Sequence, residues 1–142
     1  MKAKLLCLVI LVTFLGGCST GYHKENFFSG GFSEITTGSD SFIVTFKGNE
    51  FTSKDRVMKL SLFRASELTI QNGYKYFVIL DQSDQSYSYT SHTKIGDSIY
   101  SFPLIQPGTG IRIKCFMENP NLVDAIDAEF YWRTNKESAY TE

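Results

Sequence analysis

Arg56-Val57-Met58-Lys59-Leu60-Ser61-Leu62-Phe63-Arg64-Ala65-Ser66-Glu67-Leu68 is the stretch on which the fold turns. Val57, Met58, Ser61, Leu62, Ala65 and Leu68 recur at helical spacing and define one apolar face. Thr52 stands ahead of them as a cap, and Asp55, three residues on, completes a shortened capping box at the positive end of the helix. Asn72-Gly73 closes the run, with Gly73 suited to the left-handed position after a helix. A helix is therefore predicted from Thr52 to Asn72. Its apolar stripe needs a surface to cover.

The flanking segments supply strands. Phe32–Thr37 and Ser41–Lys47 are β-like, and Gly38-Ser39-Asp40 between them is turn chemistry, so a hairpin is expected. Phe42, Val44 and Phe46 alternate onto one face. Tyr74–Leu80 is apolar on both alternating faces apart from Lys75 and reads as a central strand under the helix. Ile111–Met117 alternates cleanly and is a further strand. Pro107-Gly108-Thr109-Gly110 before it reads as a turn. Asp81–Asp97 is rich in Ser, Thr and Tyr and fits either a loop or a solvent-facing hairpin. Ile99–Ile105 is a weaker strand, interrupted by Pro103. From Leu122 onward two patterns compete: Leu122, Ile126 and Phe130 fit a helix, whereas Ala128, Phe130 and Trp132 fit a strand. The succession Phe130-Tyr131-Trp132 favours the strand. The expected class is α+β, one main helix packed on a mostly antiparallel β-sheet.

The beginning of the chain has a different composition. Met1-Lys2-Ala3-Lys4 is basic, and Leu5–Leu15 is apolar and uncharged apart from Thr13. That run has the length of a signal-peptide core and falls short of the roughly 20 residues of a spanning helix. Two small residues and a cysteine follow. Leu15-Gly16-Gly17-Cys18 resembles the lipobox of bacterial lipoproteins, with Gly16 where Ala or Ser is commoner. The resemblance implies a diacylglyceryl group on the Cys18 thiol, cleavage between Gly17 and Cys18, and acylation of the freed amine, for instance by palmitate. Residues 1–17 would then be the signal peptide, 18–31 a lipidated N-terminus and tether, and 32–142 a single domain. More than one acyl chain implies stable anchoring. Ser19, where an inner-membrane lipoprotein tends to carry Asp, implies the outer membrane facing the periplasm in a Gram-negative source. Ser19–Gly31 is polar and ends in Ser29-Gly30-Gly31, hence the tether. Phe27 and Phe28 stand out within it.

A second pattern lies within the domain. Gly31-Phe32-Ser33-Glu34, Phe46-Lys47-Gly48-Asn49, Thr52-Ser53, Arg64-Ala65-Ser66-Glu67-Leu68-Thr69 and Gly73-Tyr74-Lys75-Tyr76-Phe77 resemble a family of small bacterial lipoproteins over roughly residues 30 to 80. Phe32 replaces the usual Tyr, and Ser66 the second Ala. The resemblance implies a lipoprotein domain and carries no activity with it.

Charge and cysteine use narrow the chemistry. The net charge of −1 becomes −3 once Lys2 and Lys4 leave with the signal. No basic patch argues for nucleic acid. Of three cysteines, Cys7 lies in the signal, Cys18 would carry the lipid and Cys115 is left alone, so the mature chain has no intramolecular disulfide. Cys115 alternates with Ile113 and Met117 and reads as a buried small hydrophobe. The chain has no metalloprotease HExxH, no G-x-S-x-G elbow, no P-loop and no dinucleotide fingerprint. His92, with Ser91 and Asp97 nearby, reads as an exposed loop histidine rather than a triad member. Asp124 and Asp127 read as a solvated face rather than a calcium site. No catalytic residue, metal or cofactor is therefore expected.

Arg64 and Glu67, three apart at the margin of the apolar face, read as a structural ion pair, against a charged-ligand contact beside Gly48-Asn49. The expected function is that of a lipid-anchored bacterial envelope protein, non-enzymatic, acting by structural support or by binding another envelope protein. The alternative is a glycan- or peptide-binding module using Tyr87 and Tyr89, with a hydrolase as the remotest.

Overall fold

The computed structural model describes residues 18–141. The signal segment, including Lys2, Lys4, Cys7 and Gly17 of the cleavage site, lies outside the described residues. The elements in chain order are β1 (Gly31–Gly38), β2 (Ser41–Lys47), α1 (Lys54–Gln71), β3 (Tyr76–Asp84), β4 (Tyr87–Ile95), β5 (Ser98–Gln106), β6 (Gly108–Phe116), β7 (Ile126–Asp127) and α2 (Ala128–Thr141). Five strands form an antiparallel sheet in the order β1-β2-β6-β3-β7, and β4 and β5 pair apart from it. This is the expected α+β class. The middle strand of the five is β6, and β3, which holds most of the Tyr74–Leu80 stretch, lies inside the sheet next to it, between β6 and the short β7.

Alternation along the strands places Phe42, Val44, Phe77, Ile111, Ile113 and Cys115 under α1, all buried. From α1, Ala65 and Leu68 are buried against them, and Met58 and Leu62 are partly covered. A second apolar cluster lies across the other side of α1, where Val57, Leu60 and Phe63 meet Phe46 and Ala139. The helix is thus covered on two sides, which explains apolar positions outside the expected stripe. Its buried hydroxyls are satisfied within it: Ser61, Ser66 and Thr69 donate to the carbonyls four residues earlier at 2.8, 2.9 and 2.7 Å.

The ends of α1 differ in one respect from expectation. Ser53, not Thr52, is the cap, its hydroxyl accepting the Arg56 N–H at 3.1 Å. Thr52 is used elsewhere, as described below. At the other end Gly73 has φ +80°; the Gly73 N–H donates to Ile70 O at 3.0 Å and the Tyr74 N–H to Thr69 O at 2.9 Å. That pair of bonds is the left-handed stop that Asn72-Gly73 predicts.

The strand expected over Ala128–Trp132 is a helix. Asp127 accepts the Phe130 N–H at 2.9 Å and so caps α2. Ala128, Tyr131, Trp132, Asn135 and Ala139 form its covered face, while Phe130 points to solvent. The intrinsic β preference of three consecutive aromatics yields to the area buried when α2 packs on α1. Asp127 three residues ahead of Phe130, and Glu129 four ahead of Arg133, are the helical signals that the strand pattern masked.

Asp81–Asp97 resolves as the hairpin alternative. The turn expected at Pro107–Gly110 is instead mostly strand. β3 runs through Gln85-Ser86 into β4, and β5 returns through Pro107 into β6. The two hairpins are one long ribbon: the Gln85 N–H donates to Gly108 O at 3.0 Å, and the Gly108 N–H donates to Ser86 Oγ at 3.2 Å. A Cβ on Gly108 would lie 2.6 Å from Gln85 O, so only glycine lets the two crossings approach. Pro103 pairs opposite Thr90 and is tolerated because β5 has no strand on its outer side.

Two substitutions test this packing. Phe63→Ala removes a fully buried ring between the helices and the sheet and should cost about 3–5 kcal/mol in chemical denaturation. Phe130→Ala should change stability by less than ~0.5 kcal/mol, because that ring faces outward from α2. A large loss at Phe130 would restore the strand assignment.

Candidate functional site

The β4–β5 hairpin projects beyond the sheet as an arm. Its register sets Tyr87, Tyr89 and Ile95 of β4 on the same face as Tyr100, Phe102 and Leu104 of β5. Tyr87, Ile95, Tyr100 and Phe102 are exposed, and the rings of Tyr87 and Tyr89 stack at 6.1 Å with an interplanar angle of 21°. Ser91 and Thr93 lie among them. The opposite face carries Ser88, Thr90, His92 and Lys94 with Ile99, Ser101, Pro103 and Ile105. Among the described residues no strand pairs with the outer edge of either β4 or β5. Tyr87 and Tyr89, the aromatics singled out from the sequence, are thus part of a larger surface. Tyr100, Phe102 and Leu104 lie in the strand expected over Ile99–Ile105, and it is the pairing of β5 with β4 that adds them to the tyrosine face. The signal was available in Gly96-Asp97, a two-residue hairpin loop whose Gly96 has φ +61°.

Ser91 and His92 face opposite sides of the ribbon, so they do not converge with Asp97. His92 meets Ser101 across the pair, Nδ1 to Oγ at 2.8 Å. Cys115 is buried, 3.4 Å from the Thr69 hydroxyl, and burial pushes its thiol above the ordinary value. Asp127 serves as a helix cap and Asp124 stands apart from it. Among the described residues no three His, Cys, Asp or Glu side chains are grouped to hold a metal. A shallow cleft of about 420 Å³ lies between the start of α1 and the root of the arm, where Lys54 and Asp84 pair at 3.7 Å.

At the same root the N-terminal residues are folded onto the domain instead of forming a free tether. Thr20 is 1% exposed. Its N–H donates to Thr52 Oγ1 at 2.8 Å, and its hydroxyl donates to Ser29 O at 2.9 Å and accepts the Asn49 N–H at 2.7 Å. Asn49 continues the knot: its Nδ2 donates to the Cys18 carbonyl at 2.9 Å, and its Oδ1 accepts the Thr52 hydroxyl at 2.8 Å and the Phe51 N–H at 3.1 Å. Cys18 is exposed at the edge of this knot. A polar sequence made Ser19–Gly31 resemble a tether; its polar groups are spent on the domain instead of on water.

Arg64 and Glu67 meet as expected, Arg64 Nη1 to Glu67 Oε2 at 2.7 Å. Sequence reasoning did not find the remaining partners. Arg64 Nη2 lies 3.1 Å from Glu34 Oε1 on β1, its guanidinium stacks 4.6 Å from the Phe32 ring centre, and the Tyr22 hydroxyl donates a short bond to Glu67 Oε2. None of these partners is at Gly48-Asn49. Burial, then the bond to Glu67, raises the Tyr22 phenol far above its ordinary value.

No protein-family model, curated protein or solved structure matches the chain.

The charged cluster generates two expectations. Arg64→Met should cost about 2–3 kcal/mol, below the ~3–5 of a fully buried pair because water still reaches the group, and should couple to Glu67→Gln by well over ~0.5 kcal/mol in a double-mutant cycle. Full stability in both single variants would remove the structural role. The raised Tyr22 value has a definite sign. The folded state holds the proton more tightly than the unfolded state, so the stabilisation is intact below the ordinary tyrosine value of 10.0 and is lost as pH rises beyond it. Denaturant midpoints should fall above that pH. The fall should be shallower in Tyr22→Phe, with a remainder from Tyr131 and Tyr140, whose phenols burial also raises.

Proposed function

We propose that this chain is a lipid-anchored protein of the bacterial envelope, held by an acylated Cys18, that binds another envelope protein through the β4–β5 arm and performs no catalysis. The observation that carries the proposal is the arm itself, with Tyr87, Tyr89, Ile95, Tyr100, Phe102 and Leu104 on one face and both backbone edges open. An isolated two-stranded hairpin is marginal in water and gains from a third strand or a covering surface. A polypeptide in extended form supplies both, adding hydrogen bonds along an edge while its side chains cover the apolar face.

The other occupants fit less well. Hydrocarbon would leave the edge N–H and C=O groups unsatisfied. A glycan would stack on Tyr87 and Tyr89 and meet the Ser91 and Thr93 hydroxyls, but it would not extend the strand pairing along the open edges. The lipobox Leu15-Gly16-Gly17-Cys18, and the exposure of Cys18 beside the arm root, support the anchor. No helix among the described residues is long and apolar enough to cross a membrane. In a Gram-negative cell Ser19 favours the periplasmic face of the outer membrane, and the partner is then a protein resident at that surface.

Mass spectrometry of the N-terminal peptide should find Cys18 first in the mature chain and acylated, and Cys18→Ser should accumulate as an uncleaved precursor. An unmodified Cys18 overturns the anchor. Photo-crosslinking in intact cells tests the arm. A photoreactive residue at Ser91 or Thr93 should yield one discrete protein adduct, and at Thr90 or His92 on the opposite face it should not. Tyr89→Ser with Phe102→Ser should abolish the adduct. Adducts equal from both faces, or to glycan only, overturn the proposed partner.

A further inference from the structure

Phe27 and Phe28 are 95% and 93% exposed at the tip of a short loop, and Phe51, two residues after Asn49, is 59% exposed. Phenylalanines left so open need an apolar environment. Their location says which. Asn49 binds the Cys18 carbonyl through Nδ2 and the Phe51 N–H through Oδ1, and it lines one concavity with Phe27 and Phe28. The residue that would carry the lipid is therefore held by Asn49, beside the concavity that Phe27 and Phe28 line. Resting on the lipid-anchor proposal above, we infer that this surface is a second, non-covalent membrane contact, with Phe27 and Phe28 inserted into the headgroup region of the bilayer that holds Cys18.

The loop is built to enter an apolar medium cheaply. The Phe28 and Ser29 N–H groups both donate to Asn26 Oδ1, at 3.0 and 2.9 Å, and the Asn26 N–H donates to Gly30 O at 2.9 Å. The Ser29 carbonyl accepts the Thr20 hydroxyl at 2.9 Å. These groups need no water when the loop leaves it, in contrast to the open edges of the arm. Gly30, with φ +75°, lets the loop press on the end of β2, where a Cβ would lie 2.2 Å from Lys47 O. The two rings are thus presented on a fixed support, and insertion orders little that is not already ordered. Charge contributes little. Lys47 is paired with Glu25 at 2.8 Å, and the exposed Lys24 and Glu50 carry opposite charges, so the contact should not need anionic lipid.

The test uses the mature acylated protein in phosphatidylcholine vesicles containing brominated chains. Trp132 is the only tryptophan, and it lies on α2. Phe28→Trp, on an exposed ring that leaves the fold undisturbed, should add an emission that is blue-shifted and loses more than half its intensity to bromines at a depth of roughly 5–10 Å below the headgroups. Wild-type Trp132 should be unquenched, as should Phe130→Trp, which sits by Asp127 and the start of β3, at the end of the sheet away from the arm root. Replacing half the lipid with phosphatidylglycerol should not change the quenching. An unquenched Trp at 28 in protein shown by mass to be acylated overturns the membrane contact and leaves the anchor standing. Quenching at 28 in protein shown to lack the acyl groups overturns the anchor and keeps the contact. Equal quenching at 28 and 130 overturns the oriented contact.

Discussion

The guanidinium of Arg64 is the point at which three separate parts of the chain are forced into one arrangement. It lies on α1, bonds Glu34 on β1 and Glu67 one turn along its own helix, and stacks on Phe32, while Tyr22 from the N-terminal segment closes on Glu67. A cation with this little water cannot be left without its carboxylates, so the helix can sit on the sheet only where both reach it. Apolar packing tolerates sliding; a forked charge does not. Arg64 Nε and Glu34 Oε2 are buried without a hydrogen-bond partner, which marks the limit of how many bonds one guanidinium placed between two elements can complete. The same cluster fixes Tyr22, which packs against Phe32, Phe63 and Tyr140, and through it the course of the segment leading back to Cys18.

Local periodicity made the central elements legible. The spacing of Val57 to Leu68, the alternation of Phe42, Val44 and Phe46, and Gly73 at the end of α1 each carry their meaning within a few residues. What sequence left obscure is what depends on partners far along the chain. Phe130-Tyr131-Trp132 looks like a strand until α1 offers a surface for alternate sides of a helix. Ser19–Gly31 looks solvated until Asn49 and Thr52 accept and donate the bonds its polar groups would give to water. Arg64 and Glu67 were legible as a pair because they are three apart. Glu34 and Tyr22 were not, because nothing local links them to position 64. Tyr87 and Tyr89 were visible as aromatics, but their face exists only through pairing with β5.

The surfaces assigned here to binding share one end of the molecule. The arm root, the cleft at the start of α1, the knot around Asn49 and the exposed phenylalanines all lie where β2 and β3 finish and β6 begins. The opposite end holds β7, the Asp127 cap of α2 and the exposed side chains of Leu122, Val123 and Phe130. The two surfaces differ: the loop of Phe27 and Phe28 bonds the Asn26, Phe28 and Ser29 N–H groups within itself, whereas the arm leaves its edges unpaired.

The ribbon that runs unbroken from β3 and β6 into the arm also has a mechanical meaning. If the tip is held by one body and Cys18 by another, tension on the arm reaches β6 at Gly108, the residue paired with Lys47 at the end of β2. The Gly48 N–H donates to Pro107 O at 2.7 Å, so the arm and the knot around Cys18 are joined at this one end of the sheet. At the other terminal of the load, Thr20 and Asn49 spread the pull from Cys18 over several short bonds to the start of α1. A pull between the arm tip and Cys18 would therefore cross only this end of the molecule, through Pro107 and Gly48, and would leave the rest of the sheet and its packing on α1 out of the line of force.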